Sequence, residues 1–566
     1  MVNDERRARS SFIIHHSSLV VLLFVALTAV VGWPALTHLD SVIIGNDIDL
    51  YINPWADWWT LKALREPDVS FWRTDYLFYP NGVELTYHSF SHFNTLVSLA
   101  LRPLLGVLPA YNLAILLNYV LNGLSMFHLV RYLTRSAATG VMAGIVFAFN
   151  SLSLFQSAHP VLLSVWCLPW ATLYFLKAWE NDERGMMNDE RKKHSSFILH
   201  PSSFALKAAV FVFLAAAAST LLLYLLGLWL GFLFLYLTLV ERRRPPWSGL
   251  VVFGLVSLAL VLPLLYPLLK DWLVNHDSSF AIDPDQSIVS DIISPVMPHW
   301  HLWLIRGLYF GILGVFFLLI AHRRGRETRL WYLLLIGSYL MAIGPRPLFN
   351  GHRLDLLLPW SLPIAPLLRN MYRMNILVGL ALAVLVAYGW LVVAGRIASP
   401  ARRRVLAVLV AAVLYADFAA PQIPTTPAVV SRFYTEYLAA VPNEVALAAL
   451  PTGRQQDKRY MYYQTLHGHQ MTGGVVSRHT REVYSFILDN PLLRAGALDF
   501  GPAPIPADAE AYLPSLAEAG IGYLVLHKNQ MSDALAERWR VALLPEQPVF
   551  EDSLVFAYDT GLIEQR

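Results

Sequence analysis

Apolar runs of about the length that crosses a bilayer as a helix, roughly 20 residues, recur along most of this chain. Loops rich in Lys and Arg separate them. Such runs leave two choices, a buried core helix or a membrane span, and composition decides between them. The 566 residues are 56% hydrophobic and 15% charged, against roughly 25% charged in a soluble domain. A transmembrane barrel would show short alternating segments instead. The sequence therefore predicts an all-α polytopic membrane protein. The net charge of +3 is too small to imply nucleic acid, and the single Cys167 excludes an intrachain disulfide or a cysteine metal cluster.

Eleven spans are expected, at 17–37, 111–130, 137–155, 160–178, 205–220, 222–240, 247–268, 303–321, 330–344, 371–394 and 404–420. The apolar segment 93–108 is read as interfacial or re-entrant, because counting it as a span would reverse every later loop. With it excluded, RYLTR, the stretch ending in KKH, ERRRPP, HRRGRETR and GRIASPARRR all fall on one side. The positive-inside rule makes that side cytoplasmic. The expected localisation is the cytoplasmic (inner) membrane, multi-pass, with the N-terminus inside. The first run has no small-residue cleavage site, so it reads as an uncleaved span. The opening MVNDERRARSSFIIHHSSLV is echoed at 187–204 by MNDERKKHSSFILHPSSF. Two copies in unlike contexts make no solenoid; they read as an inserted repeat, which leaves His15, His16, His194 and His200 poor ligand candidates.

Two domains follow. Residues 1–420 form the transmembrane module, with 38–92 as its first external loop. From Pro421 the long apolar runs stop, and 421–566 reads as an extracytoplasmic α/β domain long enough for its own core. Within it, AEAYLPSLAEAGIGYLVLHK reads as a helix, a Gly turn and a buried strand.

The first external loop opens with GNDIDLYINPW, Gly45 to Trp55. Asp47 and Asp49 lie one residue apart, followed by Asp57, Asp68, Asp75, Glu84, His88 and His92, interleaved with Trp55, Trp58, Trp59, Trp72, Tyr76, Tyr79 and Tyr87. Carboxylates accept hydroxyl protons and aromatic rings pack on apolar sugar faces. A carboxylate at a bilayer interface is partly desolvated, which raises its basicity. An isolated D-x-D also has a plain structural reading: GND capping a helix that runs through DLYINPWADWWTLKAL.

The runs GNDIDLYINPWADWW, TDYLFYPNGVELTYHSFSHFNTLVSL, AYNLAILLNYVLNGLSMFHLVRYLT and GVMAGIVFAFNSLSLFQSAHPVLLSVWCLPW resemble the bacterial GT-C glycosyltransferases. These are polytopic enzymes that take a sugar from a polyprenyl-phosphate carrier. The resemblance covers roughly 17–180 and continues more loosely through PLLRNMYRMNILVGLALAVLVAYG into the tail. It implies a catalytic Asp in the first external loop, which here is Asp47, with Asp49 as the second acid. Some members hold a divalent metal with such acids and others work without one. A divalent cation (Mg or Mn) on Asp47 and Asp49 therefore stays open. The implied partners are a polyprenyl-phosphate-linked sugar donor, a glycan, lipid or protein acceptor, and membrane lipids.

Asp47 is then expected to take the proton of an acceptor hydroxyl as its oxygen displaces the phosphate, inverting the anomeric centre. A cation must stabilise the departing phosphate. Arg369 and Arg373, spaced i, i+4 in PLLRNMYRMN, are the candidates; Arg373 matches an Arg that recurs there in the resembling proteins, and snorkelling anchors are the plainer reading. His88 and His92 would act together only on a helix, and SFSHFN does not insist on one. His159, in QSAHP, is a candidate substrate contact. In the tail, Tyr460, Tyr462, Tyr463, His467 and His469 either line an acceptor groove or pack as a domain cap. Two other classes remain in view: a transporter or flippase of lipid-linked sugars, which would need charged or broken helices at mid-depth, and a non-catalytic assembly protein.

Overall fold

The computed structural model describes residues 18–189, 203–275, 288–297, 307–361, 370–419, 422–441 and 445–562. The two copies of the echoed repeat fall largely outside these residues, as does Arg369. The chain is mostly helical and divides into two compact units. One comprises Met1–Leu39, Ser91–Asn94 and Asn112–Thr425; the other comprises Asp40–Phe90, Thr95–Tyr111 and Thr426–Arg566.

The first unit holds the membrane helices. Among the described residues, five helices are long and apolar enough to span: Val107–Thr134, Pro160–Asn181, Thr220–Val240, Trp247–Asp271 and Met371–Ala394. A sixth candidate is the bent pair Ala137–Ala148 and Ser151–Ala158. Ser18–Val31 and Ser203–Ala218 are apolar but shorter. Of the remaining expected spans, Ile312–Ala321 has only ten residues. Arg326–Ala342 and Pro400–Phe418 open on charged turns, RETR and ARRR. Their polar ends shorten the apolar part, which is why length and composition alone do not mark them as spans. The segment 93–108 is a 14-residue helix, His92–Leu105, about 21 Å at 1.5 Å per residue and short of a hydrocarbon core about 30 Å thick.

With hydrocarbon on the outside, helices gain little from the hydrophobic effect and hold together by close packing. The ring of Phe24 lodges against Gly123 and Gly144; a Cβ on either glycine would come within 2.4 Å of it. Gly389 lets Met371–Ala394 approach the backbone at Phe317, where a Cβ would stand 2.3 Å from its carbonyl oxygen. Met371–Ala394 is the inner helix, with 83% of its apolar window buried, whereas Trp247–Asp271, at 11%, faces outward.

Broken backbone in this unit is satisfied by amides. The helix that starts at Pro160 is interrupted between Leu163 and Cys167. Asn122 Nδ2 donates to the Leu163 carbonyl (3.0 Å). Asn118 Oδ1 accepts from Ser164 Oγ (2.9 Å) and Trp166 Nε1 (3.1 Å), and Asn118 Nδ2 donates to Asn94 Oδ1 (2.6 Å). Irregular backbone inside a membrane protein persists where such partners exist.

The second unit joins the loop Asp40–Phe90 to the tail. Its sheet has four strands, in the order Ala446–Leu450, Ile521–His527, Val555–Asp559, Phe550–Glu551. The first pair is parallel and the others antiparallel. Ala446–Leu450 and Ile521–His527 are buried at every residue, as continuous apolar strands covered on both faces are. Leu516, Leu524, Leu526, Trp539 and Phe556 build the core on one face. The loop segment at 76–79 joins the segment 471–473 by backbone bonds: Met471 N–H to Tyr76 O (3.1 Å), Tyr79 N–H to Met471 O (2.9 Å) and Phe78 N–H to Gly473 O (3.2 Å).

At that join, Asp457 is buried and accepts from Thr452 Oγ1 (3.0 Å), Gly453 N–H (3.3 Å) and Gly474 N–H (2.9 Å). Burial pushes its carboxyl up to about 7, and these donors pull it back. A Cβ on Gly473 would stand 2.8 Å from Asp457 Oδ2. Gly473→Ala is therefore expected to destabilise the unit by about 1–3 kcal/mol, read as a lower melting temperature in detergent. Gly227→Ala, where an added Cβ meets nothing within 4 Å, should shift stability by less than about 0.5 kcal/mol.

Candidate functional site

The acid pair is held by its own backbone. A short strand, Val42–Ile44, ends at Gly45, whose φ of 121° few other residues adopt. The chain then turns into a 3-10 turn, Ile48–Tyr51, and the helix Ile52–Arg65. Asp47 is the cap of that turn: its Oδ1 accepts from Asp49 N–H at 3.0 Å. The capping seen as the plainer reading of GND is thus present, and it engages one carboxylate oxygen. Thr426 Oγ1 secures the turn from the tail by donating to Gly45 O (2.8 Å). Both acids are half-buried.

Asp49 forms an ion pair with Lys458 from the tail helix Gln456–His467. The lysine side chain is only 6% exposed. Three further residues of this helix, Arg459, Tyr462 and Gln464, contact the loop. Arg459 lies over the Tyr51 ring, 5.3 Å from its centroid. Tyr51 and Tyr462 pack with centroids 5.8 Å apart. Gln464 Oε1 accepts from Trp55 Nε1 (2.6 Å), while its Nε2 donates to Tyr76 O and His469 O (2.7 Å each). Lys458 and Gln464 were not singled out from the sequence. The only trace they leave there is a charged opening, QDKR, on an otherwise aromatic helix.

The aromatic residues of the loop divide by burial. Trp55 and Trp59 are fully buried and stacked, with centroids 5.8 Å apart and planes within 1°, so they are core rather than a sugar platform. Trp58, Trp72, Tyr76 and Tyr87 stay half-buried. His88 is buried edge-on against Trp55 and Phe90. Burial pushes its imidazole down to about 4, so it is neutral at pH 7 and brings no charge to a phosphate. The next helix starts at His92, so His88 lies outside it and the two do not share a helix face. His92 is half-buried, with its pKa lowered by burial. Asp68, Asp75 and Glu84 are exposed.

In the tail, Tyr460, Tyr462, Tyr463, His467 and His469 are all buried. Tyr434 stacks on His467 and His527, and its hydroxyl lies 2.9 Å from His527 Nε2. Burial holds His527 down to about 3. These rings pack against one another beneath the sheet, as a domain cap does.

His159 and Arg373 belong to the membrane unit. His159 ends a short turn and is half-buried. Arg373 sits in the 3-10 turn Met371–Met374, also half-buried. Their segments are tied together: Gln156 Nε2 donates to Tyr372 Oη at 3.3 Å. Close by in sequence, Asn375 Nδ2 donates to Ser290 Oγ (2.6 Å). Asp291 is buried and accepts from Ile293 N–H (3.1 Å) and Gly351 N–H (2.7 Å). Arg369 lies outside the described residues.

A divalent cation such as Mg or Mn takes carboxylate oxygens. Asp47 and Asp49 offer that donor chemistry, with the Lys458 ammonium already on Asp49.

Asp57 is an acid whose burial the sequence did not reveal. It lies on the helix Ile52–Arg65, fully enclosed. Burial pushes its carboxyl up to about 6, against the Thr95 and Ser98 hydroxyls and the Arg102 charge, which lower it. The folded state thus holds its proton more tightly than the unfolded chain. Below pH about 4 the group is neutral in both states; as pH rises to about 6 the folded state loses up to roughly 3 kcal/mol. Asp57→Asn should flatten that part of the melting-temperature profile measured between pH about 4 and 7.

No family profile matches the sequence and no curated protein aligns with it. Solved structures do match in fold. The arabinofuranosyltransferase AftD from Mycobacteria superposes with a TM-score of 0.57 at 17% identity, over 96% of this chain and 40% of AftD. ArnT from Cupriavidus metallidurans gives 0.53 at 14%, over 96% and 98% of the two chains. The oligosaccharyltransferase AglB from Archaeoglobus fulgidus, solved with an inhibitory peptide and a dolichol-phosphate, gives 0.52 at 12%, over 91% and 70%. This chain thus spans well under half of AftD and nearly all of ArnT.

Proposed function

We propose that this chain, a multi-pass membrane protein with the fold of the GT-C glycosyltransferases, moves a sugar from a polyprenyl-phosphate carrier to a hydroxyl of a glycan, lipid or protein. The observation that carries the reading is the fixed acid pair at 47 and 49, held by a cap and an ion pair. Two structures of similar fold were solved with lipid phosphates, AglB with dolichol-phosphate and ArnT with undecaprenyl phosphate.

In the proposed reaction the acceptor oxygen attacks the anomeric carbon from the face opposite the phosphate. Its proton passes to Asp47, through the carboxylate oxygen that the cap does not use. The bond between the anomeric carbon and the phosphate oxygen breaks, and polyprenyl phosphate leaves with the electron pair. One displacement inverts the anomeric centre. Arg373, with Arg369, is the proposed clamp for the departing phosphate, since guanidinium matches phosphate oxygens in charge and geometry. A divalent cation, where used, would be held by Asp47 and Asp49 and would add positive charge near the reacting phosphate. His159 is proposed as a substrate contact. His88, neutral and packed in aromatic rings, is the weakest of the proposed contacts, and His92 is kept only as a substrate contact without a helix-face partner.

Removing a general base costs roughly 10²–10⁴-fold in rate. Asp47→Asn should therefore lose transfer from a synthetic polyprenyl-phosphate sugar by at least about 10²-fold, while inserting and melting as the wild type does. Full transfer by a folded Asp47→Asn protein would remove Asp47 from the reaction. The proposed site is outside the cytoplasmic membrane, with the N-terminus inside. Arg244→Cys and Gln547→Cys, both at exposed positions, should then be alkylated from opposite sides by an impermeant reagent. Native Cys167 is buried and should stay silent. Labelling of both from one side would overturn that orientation.

A further inference from the structure

We propose that Lys458 is the resident counter-cation of the acid pair and a positioning residue for Asp47. The inference rests on the transferase reading of that pair and assigns the tail helix a part in it. Three observations lead there. Lys458 is charged and almost wholly enclosed, at 6% exposure, and its ammonium is on Asp49. An ammonium removed from water needs a charged partner, so this pair is strongly held once formed. Asp49 in turn fixes Asp47, because its backbone N–H donates to Asp47 Oδ1 at 3.0 Å. The chain of contacts therefore runs from the tail lysine, through the side chain and then the backbone of Asp49, to one oxygen of Asp47.

The helix that carries Lys458 is itself anchored to the same loop. Arg459 covers Tyr51, Tyr462 packs on Tyr51, and Gln464 takes the Trp55 indole N–H. These contacts run from the residue next to Lys458 to somewhat less than two helical turns beyond it, so the lysine cannot drift without breaking them. Two consequences follow. Asp49 is turned toward the tail lysine, which leaves Asp47 as the carboxylate that meets the acceptor. The ammonium and a divalent cation also compete for Asp49, so a metal ion must displace Lys458 to use both acids.

The test uses the full chain in detergent or nanodiscs and reads two quantities. The first is Mn²⁺ binding, followed by electron paramagnetic resonance with no substrate present. Lys458→Met should bind Mn²⁺ at least about tenfold more tightly than wild type, the scale for removing a positive charge at ion-pair distance. The double variant with Asp49→Asn should lose that gain. The second is transfer, expected to fall in kcat on the order of 10²-fold, as for a catalytic group displaced by about 1 Å, with acceptor KM little changed. Lys458→Cys converted by 2-bromoethylamine, with complete modification of residue 458 verified by mass spectrometry because the position is enclosed, regains an ammonium at nearly the same reach and should recover most of the kcat. Unchanged Mn²⁺ affinity in a Lys458→Met protein that melts normally would overturn the proposal. So would wild-type kcat in that variant, or a loss that alkylation does not restore. If Lys458→Met fails to fold, Lys458→Arg keeps the charge with a different head. The proposal then expects a kcat loss at unchanged melting temperature, and equal kcat would sink it. Should wild type transfer no sugar from any lipid-linked donor, the transferase reading falls while the Mn²⁺ comparison still decides the ion pair.

Discussion

Polar groups taken out of water must be paired within the chain, and this protein meets that demand with single side-chain amides at two decisive places. Gln464 satisfies an indole N–H and two backbone carbonyls at once. Asn118 does the same for Ser164, Trp166 and Asn94. An unmade bond at either place costs roughly 1–3 kcal/mol per buried group. The amide of Gln464 therefore specifies register as well as contributing energy: it admits one placement of the tail helix on the loop helix. Lys458 meets Asp49 only in that placement.

The membrane character was legible because it is written in composition and run length, which need no tertiary knowledge. The strand read as GYLVLH was legible for the same reason: it lies within Ile521–His527, whose seven residues are all buried and leave an almost unbroken apolar run. The cap at Asp47 could be read locally, since an Asx cap is a property of a few adjacent residues. Other features could not. Lys458 and Asp49 are joined only by the fold, and a lone Lys at a helix start has no local mark of burial. Asp57 sits among residues that look like an exposed amphipathic helix, and its enclosure depends on Thr95, Ser98 and Arg102.

Burial also sorts the aromatic residues in a way their spacing could not. A row of Trp and Tyr beside carboxylates suits a sugar platform and a packed core equally well. The stacked Trp55 and Trp59 belong to the second kind, and the half-buried Trp58 and Trp72 keep faces toward solvent. The same holds for histidine. The imidazoles of His88 and His527 are held neutral by enclosure, and they serve as flat packing elements.

The Trp55–Gln464 bond closes a separation of 409 residues. At a ribosomal pace of roughly 5–20 residues per second, about 20–80 s pass between the emergence of one partner and the other. Throughout that interval the Trp55 indole N–H waits for its acceptor, while its ring already has Trp59 and His88 of the same loop to pack on. A chain cut short before residue 464 therefore keeps an indole N–H in its loop helix with no amide to accept it.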